Sequence, residues 1–299
     1  MTLAVTMLDK TPDDVMKALR RIGRIKTIRN SRLIANLRDA QSVYERHDGA
    51  GDSADLVVAS YNIHKCVGTD GRFDPMRTAA VIDELGADIV AIQEADRRFG
   101  KRDGLLDLLH IEEKLGLTHV PVAAHATGHG WHGNALLYRE GAVRDVQKLK
   151  LPGAEPRGAI VVDLEVKGGV LRVIAAHLGL LRHSRKRQIE TLIAEVSECG
   201  TKPTLILGDL NEWRLGRRSS LTRLPASFGP SEALPSFPAR YPVLALDRIF
   251  GTPESLVARL EVHDSELARV ASDHRPIKAF IDMKPVARQA GRNAEDEAA

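Results

Sequence analysis

Carboxylates, amides and imidazoles recur in this 299-residue chain directly after short apolar runs, where a core would not choose them. The run Asp55–Tyr61 leads into Asn62-Ile63-His64-Lys65, and Asp88–Ile92 leads into Gln93-Glu94-Ala95-Asp96. A third run ends in His177-Leu178-Gly179, and a fourth in Gly208-Asp209-Leu210-Asn211-Glu212. Ser272-Asp273-His274 precedes the last run, and Leu246-Asp247-Arg248-Ile249-Phe250 places a carboxylate inside an otherwise apolar one. Each has an ordinary reading. Asp-x-Asn after a strand makes turns, because both side chains bond local backbone. A lone Glu is usually solvated, His177 can be a satisfied core histidine, and Asp273 can cap a turn before Pro276. What favours chemistry is the repetition, because aligned strand ends of this kind converge on one cleft.

The residue types suit one reaction. Mg²⁺ takes carboxylate oxygens, keeps several waters and binds through one or two carboxylates plus a substrate phosphate. Zinc would want Cys or a tight His cluster, and neither Cys66 nor Cys199 has a suitable neighbour. An Asp–His pair orients an imidazole for proton transfer. The amides of Asn62 and Asn211 can donate to a phosphate oxygen without adding negative charge. Together these describe hydrolysis of a phosphate ester by an activated water.

The elements that must position these groups follow from periodicity. Strands are predicted over 55–61, 88–92, 134–138, 159–166, 171–176, 204–207, 245–250 and 277–281, and helices over 75–85, 105–115 and 185–198. Pro75 suits the first turn of its helix. Short β-branched runs alternating with a few helices argue for an α+β sandwich of two packed sheets with helices outside. Residues 54–283 form that domain. Residues 1–53 read as a basic, largely helical extension and linker, with eight Lys or Arg and no acid between Val15 and Arg38. The polar stretch 284–299 reads as a disordered tail.

Bulk properties set wider bounds. A net charge of +3 says nothing about partners, and two cysteines are too few for a disulfide framework. No apolar run reaches the roughly 20 residues of a membrane span, and the first residues lack the pattern of a secretory signal. A cytoplasmic location is the expectation. Association with a membrane surface stays open, since residues 15–38 can form an interfacial helix on anionic lipid, contact nucleic acid, or pack on the domain's flank.

The order Asn62, Gln93-Glu94, His177, Gly208-Asp209-Leu210-Asn211, Leu246-Asp247 and Ser272-Asp273-His274 resembles the endonuclease/exonuclease/phosphatase superfamily. That superfamily includes DNase I-like nucleases, abasic-site endonucleases, sphingomyelinases and inositol polyphosphate 5-phosphatases. The likeness spans roughly 55–282, and the combination of motifs is specific where no single one is. It implies a four-layered α/β/β/α sandwich of two mixed sheets flanked by helices. It also implies Glu94 as principal metal ligand with Asn62, Asp209 and Asp273, holding Mg²⁺ or Mn²⁺. Asp209 and Asn211 would position the attacking water and the phosphate, and His274 with Asp247 would form the His–Asp dyad. His177 resembles the second histidine of the DNase I and sphingomyelinase branches.

His64 stands where abasic-site enzymes carry an acid, which puts a second metal site there in doubt. His64 and Lys65 become substrate contacts instead, joined by Asn134 and Arg157. The strings Tyr61–Lys65, Gly133–Leu137, Pro156-Arg157-Gly158 and Asp209–Trp213 resemble a bacterial branch similar to the C-terminal domain of a eukaryotic protein that remodels lipid anchors. The resemblance therefore implies a phosphodiesterase acting on DNA or on a lipid or small-molecule diester. A phosphomonoesterase of the same fold is the alternative, and a non-catalytic module binding membrane or nucleic acid is the alternative of another class. The basic clusters after Glu94 (Arg97, Arg98, Lys101, Arg102) and after His177 (Arg182, Arg185, Lys186, Arg187) suit a polyanion or simply solvated faces.

Overall fold

The computed structural model describes residues 54–97, 100–123, 125–198, 202–229 and 232–284. The chain divides into two units, 1–51 and 52–299, and every described residue belongs to the second. The readings of the N-terminal basic segment, its linker and the tail after Lys284 lie outside the described residues, as do Arg98 and Cys199.

In chain order the elements begin with β1 (Leu56–Asn62), α1 (Pro75–Glu84) and β2 (Ile89–Gln93). Next come α2 (Leu108–His110), continued by a π-turn over Ile111–Leu115, then β3 (Thr118–His119) and β4 (Ala135–Tyr138). β5 (Ala142–Leu151), β6 (Arg157–Val166) and β7 (Gly169–His177) lead to α3 (Arg182–Glu198) and β8 (Thr204–Asp209). β9 (Asp247–Thr252), β10 (Val257–Val262), α4 (Ala268–Ala271) and β11 (Ile277–Ile281) complete the set. One sheet has the order β10-β11-β1-β2-β4-β3 and the other β5-β6-β7-β8-β9.

Period-two alternation builds the layers. Val58, Ile89, Leu136 and Ala279 from the first sheet meet Val162, Val173, Leu205 and Ile249 from the second in a buried core between the sheets. The alternate residues Ala59, Tyr61, Val90, Ile92 and Leu137 face Val81 and Ile82 of α1, Leu85 just after it and Ala268 of α4. On the far side Val161, Ile174, Ile206 and Phe250 pack against Ile189 and Leu192 of α3. Four layers result, as the resemblance implied. α1 starts where the sequence places it, with Pro75 in its first turn and Asp74 accepting from the Arg77 N–H at 2.9 Å.

Register explains why the polar strand ends share one edge. β1 and β2 run parallel with Asn62 opposite Gln93, and β7 and β8 run parallel with His177 opposite Asp209. β9 is antiparallel to β8 and begins with Asp247 opposite Asp209. β11 is antiparallel to β1, so the Ser272–Arg275 turn that precedes it arrives at the same edge.

Three strands differ from expectation by being present at all: β3, β5 and β10. All three are sheet edges. β5 (AVRDVQKLKL) is mostly exposed or half-buried, so its composition carries charges instead of the apolar run that marks a central strand. The helix expected over 105–115 starts at Leu108, where Asp107 caps it by accepting from the His110 N–H at 3.0 Å.

Candidate active site

Asp209 is the meeting point of the cleft. It is 2% exposed. Its Oδ2 accepts from Asn62 Nδ2 at 3.0 Å, and its Oδ1 accepts from the Asn211 N–H at 3.0 Å. His177 Nε2 lies 3.3 Å and His274 Nε2 3.8 Å from Oδ2. His274 Nδ1 is 2.8 Å from Asp247 Oδ2, which also accepts from the Ser236 hydroxyl. Residues from β1, β7, the turn after β8 and the turn before β11 thus surround one carboxylate. The backbone permits this because β8 approaches β7 closely at Gly208 (φ +143°), where a Cβ would stand 1.8 Å from the Ala176 carbonyl oxygen.

Burial and neighbouring charge set the protonation of this cluster. Burial pushes the Asp209 carboxyl up to about 7, with Asp247 adding to the effect and His274 opposing it. Burial acts against a charged His274, but Asp247 and Asp209 overcome it and raise the imidazole to about 10. His177 moves the other way, driven well below its ordinary value by burial and by the Arg157 guanidinium. Geometry agrees: Arg157 Nη1 donates to His177 Nε2 at 2.9 Å, which requires an unprotonated ring nitrogen. His274 is held cationic and His177 neutral.

Beside this cluster lies a cleft lined by Lys65, Glu94, Asp96, Arg102, Arg157 and His177, among others. Lys65 Nζ pairs directly with the Glu94 carboxylate. Burial would raise Glu94, but His177, Lys65 and His64 more than offset it and hold the carboxyl at about 2. Arg157 is braced by Glu155 at 2.7 Å, and Arg102 by Asp96 at 2.8 Å. Seven described non-glycine residues have positive φ: His64, Lys65, Cys66, Glu94, Arg102, His132 and Asn211. All belong to this cleft or to the left-handed turn His64–Cys66 at its margin. Such conformations cost about 1 kcal/mol or more each and collect at functional sites.

Other expected residues fall as follows. Asn211 Nδ2 donates to the Leu178 carbonyl at 3.0 Å, tying the turn after β8 to the turn after β7 and leaving one amide hydrogen for a ligand. His64 Nδ1 bonds the Val67 carbonyl at 3.0 Å and lies 3.7 Å from Asp273 Oδ1. Asn134 departs from its expected role as a substrate contact. It is fully buried, and its Nδ2 donates to the carbonyls of Trp131 and Gly158, so it braces the cleft wall. Arg185 also departs, from the basic cluster read as facing either a polyanion or solvent. It is fully buried, paired with Glu212 at 3.4 Å, and donates to the Gly179 and Leu180 carbonyls.

Sequence reasoning missed the buried supports. Glu212 accepts from the Ser220 N–H and hydroxyl and from the Arg214 N–H, which fixes the segment following Asn211. Ser272 donates from its hydroxyl to the Asn62 carbonyl at 2.7 Å, joining the His274 turn to β1. Glu155 accepts from the Leu180 N–H while bracing Arg157. Serines and an extra acid near a motif carry no periodic signal. Only the placement of Glu212 directly after Asp209-Leu210-Asn211 could have pointed to it.

Among the described residues no group of three His, Cys, Asp or Glu side chains is gathered as a preformed metal cage. The donor chemistry nevertheless fits a hard cation. Asp273 Oδ1 is buried without a hydrogen-bond partner, and Asn62 Oδ1 accepts, among the described residues, only the His64 N–H at 3.0 Å.

A sequence model of the Endonuclease/Exonuclease/phosphatase family matches residues 59–274. No curated protein matches the sequence significantly. Among solved structures, an endonuclease/exonuclease/phosphatase from Beutenbergia cavernae is 24% identical, with TM-score 0.56, covering 76% of this chain and 71% of its own. TDP2 from D. rerio, solved with a single-strand DNA product, is 14% identical, with TM-score 0.55, covering 76% and 98%. A mannosyl-6-phosphatase from Bacteroides thetaiotaomicron is 16% identical, with TM-score 0.54, covering 76% and 99%. At these identities the structural likenesses establish the fold.

Proposed function

Because the chain belongs to the endonuclease/exonuclease/phosphatase family, we propose that its cleft is the active site of a divalent-metal-dependent phosphodiesterase. The observation that carries this reading is the convergence on Asp209 of Asn62, His177 and the His274–Asp247 pair. Asp209 is a buried carboxylate poised to take a proton from an attacking water. Its place between two imidazoles assigns it to the water, leaving Glu94, Asn62 and Asp273 as the residues that would hold Mg²⁺ or Mn²⁺. Bound there, the ion would polarise a phosphoryl oxygen. His274, oriented by Asp247 and Ser236, offers its Nε2 proton to the charge that develops on phosphate or on the leaving oxygen. Arg157, whose Nη1 donates to neutral His177, would orient a second phosphate oxygen with its other N–H groups, and Lys65 lines the same cleft.

The cations that line the cleft are paired within the protein. Lys65, Arg102 and Arg157 are each committed to a carboxylate, Glu94, Asp96 and Glu155 respectively. The protein's own lining is therefore close to neutral, so the positive charge a phosphate ester meets there would come from the bound ion.

The test is hydrolysis of labelled single- and double-stranded DNA and of bis(p-nitrophenyl) phosphate by purified protein with Mg²⁺, against Asp209→Ala. Cleavage that needs both the metal and Asp209 is the expected result. Hydrolysis indifferent to metal and to Asp209→Ala, or no turnover of any diester, would sink the reading.

A further inference from the structure

The cleft that holds Glu94, Arg157 and His177 is also lined by Asp96, Arg102 and His132, to which the reaction described above gives no task. The two groups adjoin. A Cβ on Gly133 would stand 3.3 Å from Asp96 Oδ1 and 3.5 Å from the Glu94 Cα. His132 Nδ1 lies 3.0 Å from the carbonyl oxygen of Pro156, the residue before Arg157.

The bonds within this second group leave several positions open. Arg102 binds Asp96 with one edge of its guanidinium, Nε to Oδ2 at 2.8 Å and Nη2 to Oδ1 at 3.2 Å. Its Nη1 is 3.4 Å from His132 Nδ1. That ring nitrogen must carry a hydrogen to bond the Pro156 carbonyl, which can only accept, so it cannot also accept from Arg102. Both Nη1 hydrogens and the second Nη2 hydrogen therefore have no acceptor among the described residues. Each Asp96 oxygen takes one bond from Arg102 and keeps a further lone pair. Burial, together with Arg102, holds the His132 imidazole below its ordinary pKa, which leaves Nε2 as an acceptor.

The group is held in place from several sides. Arg102 and His132 have left-handed φ of +56° and +51°, and strained backbone of this kind collects at ligand clamps. Trp131 stands edge-on to the His132 ring at 4.7 Å, and a Cβ on Gly158 would come within 2.9 Å of His132 Cδ2. The open positions are of both kinds, N–H donors on Arg102 and lone pairs on Asp96 and His132. An anion would meet the donors but also a carboxylate and a ring lone pair, so a second phosphate is disfavoured there. Apart from Pro156, the described lining offers no aliphatic or aromatic hydrocarbon side chain to an acyl chain. A hydroxyl donates and accepts at once. Neighbouring hydroxyls can therefore take the Arg102 N–H groups and give their hydrogens to Asp96 and His132.

We propose that Asp96, Arg102 and His132 form a subsite for a polyhydroxylated alcohol (a cyclitol, a sugar or glycerol) esterified to the phosphate that the cleft cleaves. The cleavage itself rests on the phosphodiesterase reading above, to which the subsite adds the class of alcohol. A few fixed polar groups of this kind set orientation and specificity. Arg102 and His132 are specificity-determining residues here, touching the alcohol and not the reacting atoms.

The experiment compares p-nitrophenyl phosphodiesters in pairs that differ only in hydroxyls: myo-inositol against cyclohexanol, and glycerol against propanol. The full-length wild type with Mg²⁺ is expected to favour at least one hydroxylated ester by about tenfold or more in kcat/KM. The pair that shows the preference distinguishes a ring polyol from glycerol. Arg102→Gln and, separately, His132→Phe should each cut that ratio by about fivefold or more. Damage to the cleft in general would slow both esters alike and keep the ratio. Wild-type ratios near one overturn the proposal, and so do variants of unchanged Tm that keep the wild-type ratio. A preference confined to the p-nitrophenyl ester of thymidine 5′-phosphate would overturn it in favour of a nucleotide. Calorimetric binding of the methyl phosphodiesters of inositol and cyclohexanol to Asp209→Ala with Mg²⁺ reads the same contacts without turnover. Inositol bound about tenfold more tightly, with no ester hydrolysed by the wild type, would sink the hydrolase reading and uphold the subsite. Equal binding beside metal-dependent hydrolysis would do the reverse.

Discussion

The two ends of β7 and β8 each bury a cluster of charges, and the clusters behave in opposite ways. At the end where β8 begins, Arg172 grips Asp163 through two hydrogen bonds of 2.6 and 2.8 Å, and Lys202 adds a third contact at 2.7 Å. Burial acts to raise the Asp163 carboxyl, yet Arg172 and Lys202 more than offset it and hold it below its ordinary value. At the end where β8 finishes, Asp209 is pushed up, His177 is pushed down and His274 is pulled up. The first cluster matches each charge to a partner and brings cations with long stems to do so. The second crowds two carboxylates and two imidazoles around one point, and their protonation is pushed in opposite directions. A matched buried pair speaks to structure, whereas mismatched protonation in a cleft speaks to chemistry.

The contrast is breakable in four ways. Asp209→Ala should lower kcat/KM for a diester by roughly a thousandfold or more, while Tm stays level or rises because a strained buried charge is removed. A thermal melt beside the assay checks both halves. Asp163→Ala should do the reverse, leaving kcat of the folded protein unchanged and lowering unfolding stability by about 3 kcal/mol, because Arg172 loses its carboxylate in the interior. Urea denaturation reads that loss.

Glu212 lies between these extremes, being structural in its bonds and adjacent to the site. Glu212→Gln should cost about 2 kcal/mol and reduce kcat about tenfold by loosening the Asp209–Asn211 turn. A kcat loss without any change in KM would mark it as a positioning residue. The smallest effect is in acid. The folded-state value of Asp163 lies below its unfolded one, so its stabilisation is present above about pH 4 and is lost as pH falls through the depressed value. The stability difference between wild type and Asp163→Ala should therefore shrink steadily below about pH 4, which denaturation at a series of pH values can follow.

The site was legible to different depths. Asn62, Glu94, Asp209, Asp247 and His274 stand out because polar residues interrupt or end apolar runs, a pattern readable without coordinates. Arg157 was nameable, but its bonds to His177 and Glu155 were not, since 20 residues separate it from the histidine. Arg185 misled because a basic run on a helix looks solvated, and only the fold shows one member of that run turned inward to Glu212. Asn134 misled for the opposite reason: it sits in a motif, yet its amide serves the backbone.

Alternating apolar periods determined, by themselves, which segments become the central strands and which faces they bury, because burial on both faces leaves a dense apolar signature. They also marked the strand ends whose polar residues gather at one edge. The edge strands β3, β5 and β10 were decided only by the folded sheet, because an edge is half in water and its composition follows solvent as much as pairing. Protonation was likewise a tertiary matter. The same residue types, Asp and His, take their ordinary values when solvated, and only burial beside particular charges shifts Asp209, His177 and His274 in different directions.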